Sequence, residues 1–66
     1  MKNLKLLREQ TGLTQQGLAQ ALGVEQSTVS MWETGNSSPR ADKLPELARI
    51  LKCTIDELYG VVGEAV

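Results

Sequence analysis

Gln26, Ser27, Thr28, Ser30 and Met31 bring uncharged, mostly hydrogen-bonding side chains close together in this chain. A glutamine amide carries donors and an acceptor on one flat group, so it can match a base edge in the major groove of duplex DNA. Serine and threonine hydroxyls can form single bonds of the same kind, and a methionine can touch a thymine methyl. Catalysis has no comparable constellation. The chain has no histidine and one cysteine, so Cys53 lacks partners for an internal disulfide, a metal site or an activated nucleophile and reads as a small buried hydrophobe. Neither a cofactor nor a metal is expected.

Two short helices must position these side chains. Thr14 suits the N-cap of the first, because its hydroxyl can accept an orphan backbone N–H, and Leu18, Ala19 and Leu22 follow at helical spacing along one face. Gly23 then ends that helix, since glycine adopts the left-handed conformation a sharp turn needs, and the small Ala19 lets the next helix cross closely. Val29 and Trp32, three apart, give the second helix an apolar edge. Its other edge carries Gln26, Ser27, Ser30 and Met31.

The rest of the chain supplies the frame. A helix over about 2–11 offers Leu4 and Leu7 to the core, with Gly12 as its left-handed stop. The segment ETGNSSPR is a loop whose turn-forming residues leave backbone N–H groups free, which suits phosphate contact. Leu44, Leu47, Ala48 and Leu51 mark a fourth helix. Pro45 fits only its first turn, so its N-cap lies no earlier than about Asp42. Thr54 and Glu57 form a capping box for a fifth helix that turns Ile55 and Leu58 inward. Residues 60–66 carry no strong signal and read as a tail free to be flexible. With 66 residues and 41% hydrophobic content the chain makes one small all-α domain, 1–66. Having no phenylalanine, it must build an aliphatic core around Trp32.

Taken together, these residues resemble the Cro and phage-repressor family of helix-turn-helix regulators. The matching positions are Arg8, Gly12, Leu13, Thr14, Gln15, Leu18, Ala19, Leu22, Gly23, Val24, Gln26, Val29, Trp32, Glu33, Gly35, Pro39, Leu44, Leu47, Ala48, Leu51 and the closing TIDEL, spanning Asn3 to Tyr59. The resemblance implies a compact five-helix domain of the lambda-repressor-like type, with its helix-turn-helix at about 14–33. It implies a homodimer that binds a double-stranded DNA operator and regulates transcription, with repression as the leading mode. It also implies that the polar face of the third helix reads bases, with Gln26 on adenine, while Gln15 braces Gln26 and touches phosphate. Arg40, Lys43 and the backbone of Asn36 and Ser37 are the other phosphate contacts, and Arg8 and Glu33 form a structural ion pair. Three positions depart from the family pattern. Gly17 stands where a glutamate often completes a capping box, so the second helix is expected to be softer. Glu25 replaces the commoner Ser or Asp N-cap, and Met31 replaces a common lysine.

Charge pulls the other way. Seven basic against eight acidic residues give a net charge of −1, whereas nucleic-acid binders usually present a basic surface. Lys2, Lys5 and Arg8 lie in the first helix, Arg40 and Lys43 follow the reading helix, and four acids lie from Glu46 onward, away from the expected DNA face. Glu25, at the entrance to the reading helix, should weaken nonspecific binding. The competing expectation is a protein-interaction module, such as an antitoxin-like partner-binding domain. It draws on the acidic balance, Met31 and the apolar Tyr59, Val61 and Val62. Salt discriminates the two, because phosphate binding weakens steeply with salt and an apolar interface does not. No run approaches the ~20 apolar residues of a membrane span and no signal-peptide pattern opens the chain, so a cytoplasmic location without membrane contact is expected.

Overall fold

The computed structural model describes Met1 and residues 3–59. Five helices follow in order: α1 (Leu4–Gln10), α2 (Gln15–Leu22), α3 (Gln26–Thr34), α4 (Leu44–Leu51) and α5 (Ile55–Tyr59), with a 3-10 turn at Ala41–Lys43 leading directly into α4. The described residues contain no strand. The all-α, five-helix architecture expected from the sequence is therefore the one observed. Leu4, Leu18, Ala19, Leu22, Val29, Trp32, Leu47, Leu51 and Leu58 form one buried cluster to which every helix contributes. Burying a leucine side chain is worth roughly 1.5–3 kcal/mol, so this cluster holds the helices at the crossings that matter for the site.

Local chemistry sets most helix ends. The Thr14 hydroxyl accepts the Gly17 N–H at 2.9 Å. Thr54 and Glu57 close a reciprocal capping box, with Thr54 N–H on Glu57 Oε1 at 2.7 Å and Glu57 N–H on Thr54 Oγ1 at 3.1 Å. Gly23 caps α2 with φ 74° and Gly35 caps α3 with φ 89°, both in the left-handed region. Lys52 caps α4 with φ 56° although it carries a Cβ, a strain the sequence pattern does not announce. Gly17 is partly explained by its surroundings: an added Cβ would lie 3.2 Å from Thr14 Oγ1, against the hydroxyl that caps the helix.

Some expectations need correction. Ile55 does not turn inward; it is 37% exposed. The reason is that α5 is anchored by its far end, where Leu58 is buried, its carbonyl accepts from Asn3 N at 3.2 Å and the Asn3 amide donates to the Glu57 carbonyl. The first turn of so short a helix is left at the rim. Cys53 and Leu7 are half-buried at the margin of the core rather than inside it. Two other ends fall as expected: Gly12 stops α1 in the left-handed region with φ 79°, directly after the C-cap Thr11, and the N-cap of α4 is Lys43, no earlier than Asp42. Lys2, Val61 and Val62 lie outside the described residues.

Candidate nucleic-acid interface

α3 presents two unlike faces. Val29 and Trp32 are buried against the core, while Gln26, Ser27 and Met31 are exposed and Ser30 is half-exposed beside them. At 100° per residue, Gln26, Ser27, Ser30 and Met31 share one stripe, opposite Val29 and Trp32. Thr28 lies on the flank nearer the buried side and is half-buried. Thr34 extends the exposed stripe by a turn, but its hydroxyl donates to the Met31 carbonyl at 3.2 Å. The stripe carries no charge. Its capacity is hydrogen bonding plus the apolar Met31, which is 40% exposed.

The N-terminal ends of α2 and α3 meet through their glutamines. Gln26 Nε2 lies 3.5 Å from Gln15 Oε1, the outer limit of a hydrogen bond, across the turn that separates the helices. Gln15 is held from the other side, where its Nε2 donates to Glu33 Oε1 at 2.9 Å. Glu33 in turn pairs with Arg8, whose Nε donates to Oε2 at 2.6 Å and whose Nη2 donates to Oε1 at 3.4 Å. Arg8 Nη1 also donates to the Leu13 carbonyl at 2.7 Å. One buried guanidinium therefore ties α1 to α3 and to the link that enters α2. The expected Arg8–Glu33 pair is present. The Glu33–Gln15 bond has no signal in the sequence, because it joins residues 18 apart and depends on how α2 and α3 cross.

The flanking polar residues are differently placed. Asn36 and Arg40 are exposed. Ser37 spends its backbone N–H on the Met31 carbonyl at 3.3 Å, beside the Gly35 N–H at 3.1 Å, so only its side chain is left to face a ligand. The Lys43 ammonium donates to the Leu22 carbonyl at 3.1 Å and lies 3.5 Å from Glu46 Oε1. It serves first as a cation at the C-terminal end of α2, where the helix dipole favours positive charge. Two cations, Arg8 and Lys43, are thus engaged within the fold.

Among the described residues no group of His, Cys, Asp or Glu is placed to hold a metal ion, and no helix is long and apolar enough to cross a membrane. Burial, reinforced by the negative charge of Glu57, pushes the Cys53 thiol above its ordinary range, the opposite of an activated nucleophile.

Comparison with known proteins finds relatives over most of the chain. A family model described as "Helix-turn-helix" matches residues 4–58. The chain is 37% identical over 59 residues to the HTH-type transcriptional activator BcrR of Enterococcus faecalis, covering 89% of this chain and 29% of that protein. It is 35% identical over 57 residues to the uncharacterized HTH-type transcriptional regulator YazB of Bacillus subtilis, covering 86% of this chain and 83% of that one. With the HTH-type transcriptional regulator DicA of Escherichia coli it shares 34% identity over 53 residues, 80% of this chain and 39% of that protein. No solved structure matches the chain significantly. The matched span takes in both glycine-capped helices, the glutamine pair between them and the buried cluster that fixes their crossing, and on it the chain belongs to the helix-turn-helix family of Cro and phage-repressor type.

Proposed function

We propose that this chain binds double-stranded DNA sequence-specifically as a homodimer, reading the major groove with the exposed stripe of α3 and thereby regulating transcription. The observation that carries the proposal is the meeting of Gln15 and Gln26 at the entrance of an uncharged, outward-facing helix stripe. Gln26 pairs with adenine through N6 and N7, while Ser27, Thr28, Ser30 and Met31 contact neighbouring base edges. Gln15, Asn36, Ser37, Arg40 and Lys43 hold the flanking phosphates, Lys43 through the donors its bond to Leu22 leaves over. Occupancy of a promoter by such a domain obstructs polymerase, so repression is the mode we assign. One module of this kind buries only ~600–1,000 Å² on DNA, and a twofold dimer doubles that with half-sites about one helical turn apart. The exposed Ile55 and Tyr59 on α5 are the apolar surface we assign to that dimer. The function is recognition, and the reading includes no enzyme activity.

The test is selection of bound sequences from a random duplex pool, with sedimentation on the same sample. A palindromic consensus bound by a dimer supports the proposal. A pool without enrichment would refute it and favour a protein-binding module.

A further inference from the structure

Glu33 is placed to influence base preference from inside the fold. Its carboxylate accepts from Arg8 on both oxygens, and Oε1 also accepts from Gln15 Nε2 at 2.9 Å. A carboxylate paired to a guanidinium has only acceptors to offer, so Gln15 must turn its NH2 toward Glu33 and its carbonyl oxygen away. That oxygen faces Gln26 Nε2 at 3.5 Å. If Gln26 flipped its amide, its own oxygen would meet the Gln15 oxygen, acceptor against acceptor. A buried charge two residues back along the network therefore favours one orientation of the exposed amide, through a contact at the outer limit of a hydrogen bond.

We infer that the Arg8–Glu33 pair fixes the amide polarity of Gln15 and through it that of Gln26, which makes Glu33 a positioning residue for base preference. This rests on α3 being the reading helix. A Gln26 amide held one way offers the groove an N–H and a carbonyl oxygen in a set order, which fits the N7 acceptor and N6 donor of adenine. Released, the amide can offer the reverse order and lose its discrimination. Neither charged group needs to meet DNA for this, and their side chains are only 9% and 5% exposed for Arg8 and Glu33 respectively.

Glu33→Gln tests the inference, because it keeps the size and reach of the side chain but can present either end of an amide to Gln15. The probes are the duplex selected above and its three substitutions at the base pair that Gln26→Ala relaxes. Preference among these four is the readout, since a smaller folded fraction lowers all four affinities together and leaves their ratios unchanged. Glu33→Gln should reduce the preference at that pair by about fivefold or more and leave other pairs as they are. Gln15→Met, which spares the Arg8–Glu33 pair, should flatten the same pair even if Glu33→Gln proves too unstable to assay. Unchanged ratios in Gln15→Met, or a uniform loss across all four duplexes in a folded Glu33→Gln protein, would overturn the relay. Should Gln26→Ala relax no base pair at all, the fault lies with the reading of α3 and not with the relay alone.

Discussion

Arg8→Ala should be among the most damaging single changes in this domain, and the damage should be coupled to Glu33. The guanidinium makes its shortest contact at 2.6 Å to Glu33 Oε2 and another at 2.7 Å to the Leu13 carbonyl, and it is nearly shut off from water. Removing it leaves a buried carboxylate supported, among the described residues, by the Gln15 amide, plus a carbonyl that has lost this donor. Breaking a buried pair from one side costs about 3–5 kcal/mol. A domain of 66 residues is expected to have a total stability of roughly 3–10 kcal/mol, so Arg8→Ala should remove about a third of it or more. Glu33→Ala should cost less, because Arg8 keeps the Leu13 carbonyl and its long side chain can tilt toward water. The double variant removes both charges together and should fall short of the sum of the singles by about 1–3 kcal/mol. Trp32 is the only tryptophan and is buried, so urea unfolding read by its fluorescence, with far-UV circular dichroism as a second probe, measures all four proteins. Coupling smaller than about 0.5 kcal/mol would refute the claim that the two residues act as one unit.

The remaining predictions concern single positions. Lys52→Gly should stabilise the domain by about 1 kcal/mol, seen as a higher melting temperature, because glycine relieves the φ of 56° at the end of α4; a lower melting temperature would contradict this. Cys53 should react with iodoacetamide more slowly than a free thiol at pH 8, and Glu57→Gln should speed the reaction while preserving the cap on Thr54 N–H. Since the folded thiol titrates above the unfolded one, its contribution to stability is intact below the free-thiol value of about 8.5 and fades as pH rises through the folded value; Cys53→Ser should flatten that alkaline loss. On the selected duplex, Gln26→Ala should cost about 1–3 kcal/mol in affinity and relax one base pair per half-site, measured by competition binding. Arg40→Ala should reduce the slope of log affinity against log salt by about one per protomer, and an unchanged slope would remove Arg40 from the phosphate contacts.

Local chemistry explains which parts of this fold can be read from the sequence. Thr14, Gly23 and the Thr54–Glu57 box act on backbone groups within three or four residues, so their residue types and spacing are sufficient. Leu47 and Leu51 are likewise legible, because a period of 3.6 puts them on one face whatever the partner helix is. Lys52 is not, since nothing in its residue type marks a left-handed cap. Ile55 misleads for a related reason: the helical pattern pairs it with Leu58, but a five-residue helix tethered through Leu58 and Asn3 has only one end in the core. At the site, the polar stripe and the Arg8–Glu33 pair are visible through residue type and resemblance. The grip of Lys43 on Leu22 and of Glu33 on Gln15 joins residues 21 and 18 apart, and it follows only from the helix crossings.

Those two grips bear on how a chain with a net charge of −1 would hold DNA. The usual remedy is a surplus of cations facing phosphate, with each contact adding about 0.9 to the salt slope. Here Arg8 is buried in the fold and Lys43 is occupied at the end of α2, leaving Arg40 the exposed cation on the segment that follows α3. Binding by this face would then lean on neutral donors: the glutamine pair, the serine hydroxyls and the backbone around Asn36. Neutral hydrogen bonds are strongly directional and lose worth quickly when misaligned, so a domain that relies on them gains from side chains held in one orientation before DNA arrives. A buried ion pair that braces Gln15 supplies that order at the cost of one cation withheld from phosphate. On this view the same arginine that makes the chain look poorly charged for DNA contributes to selectivity in place of general affinity.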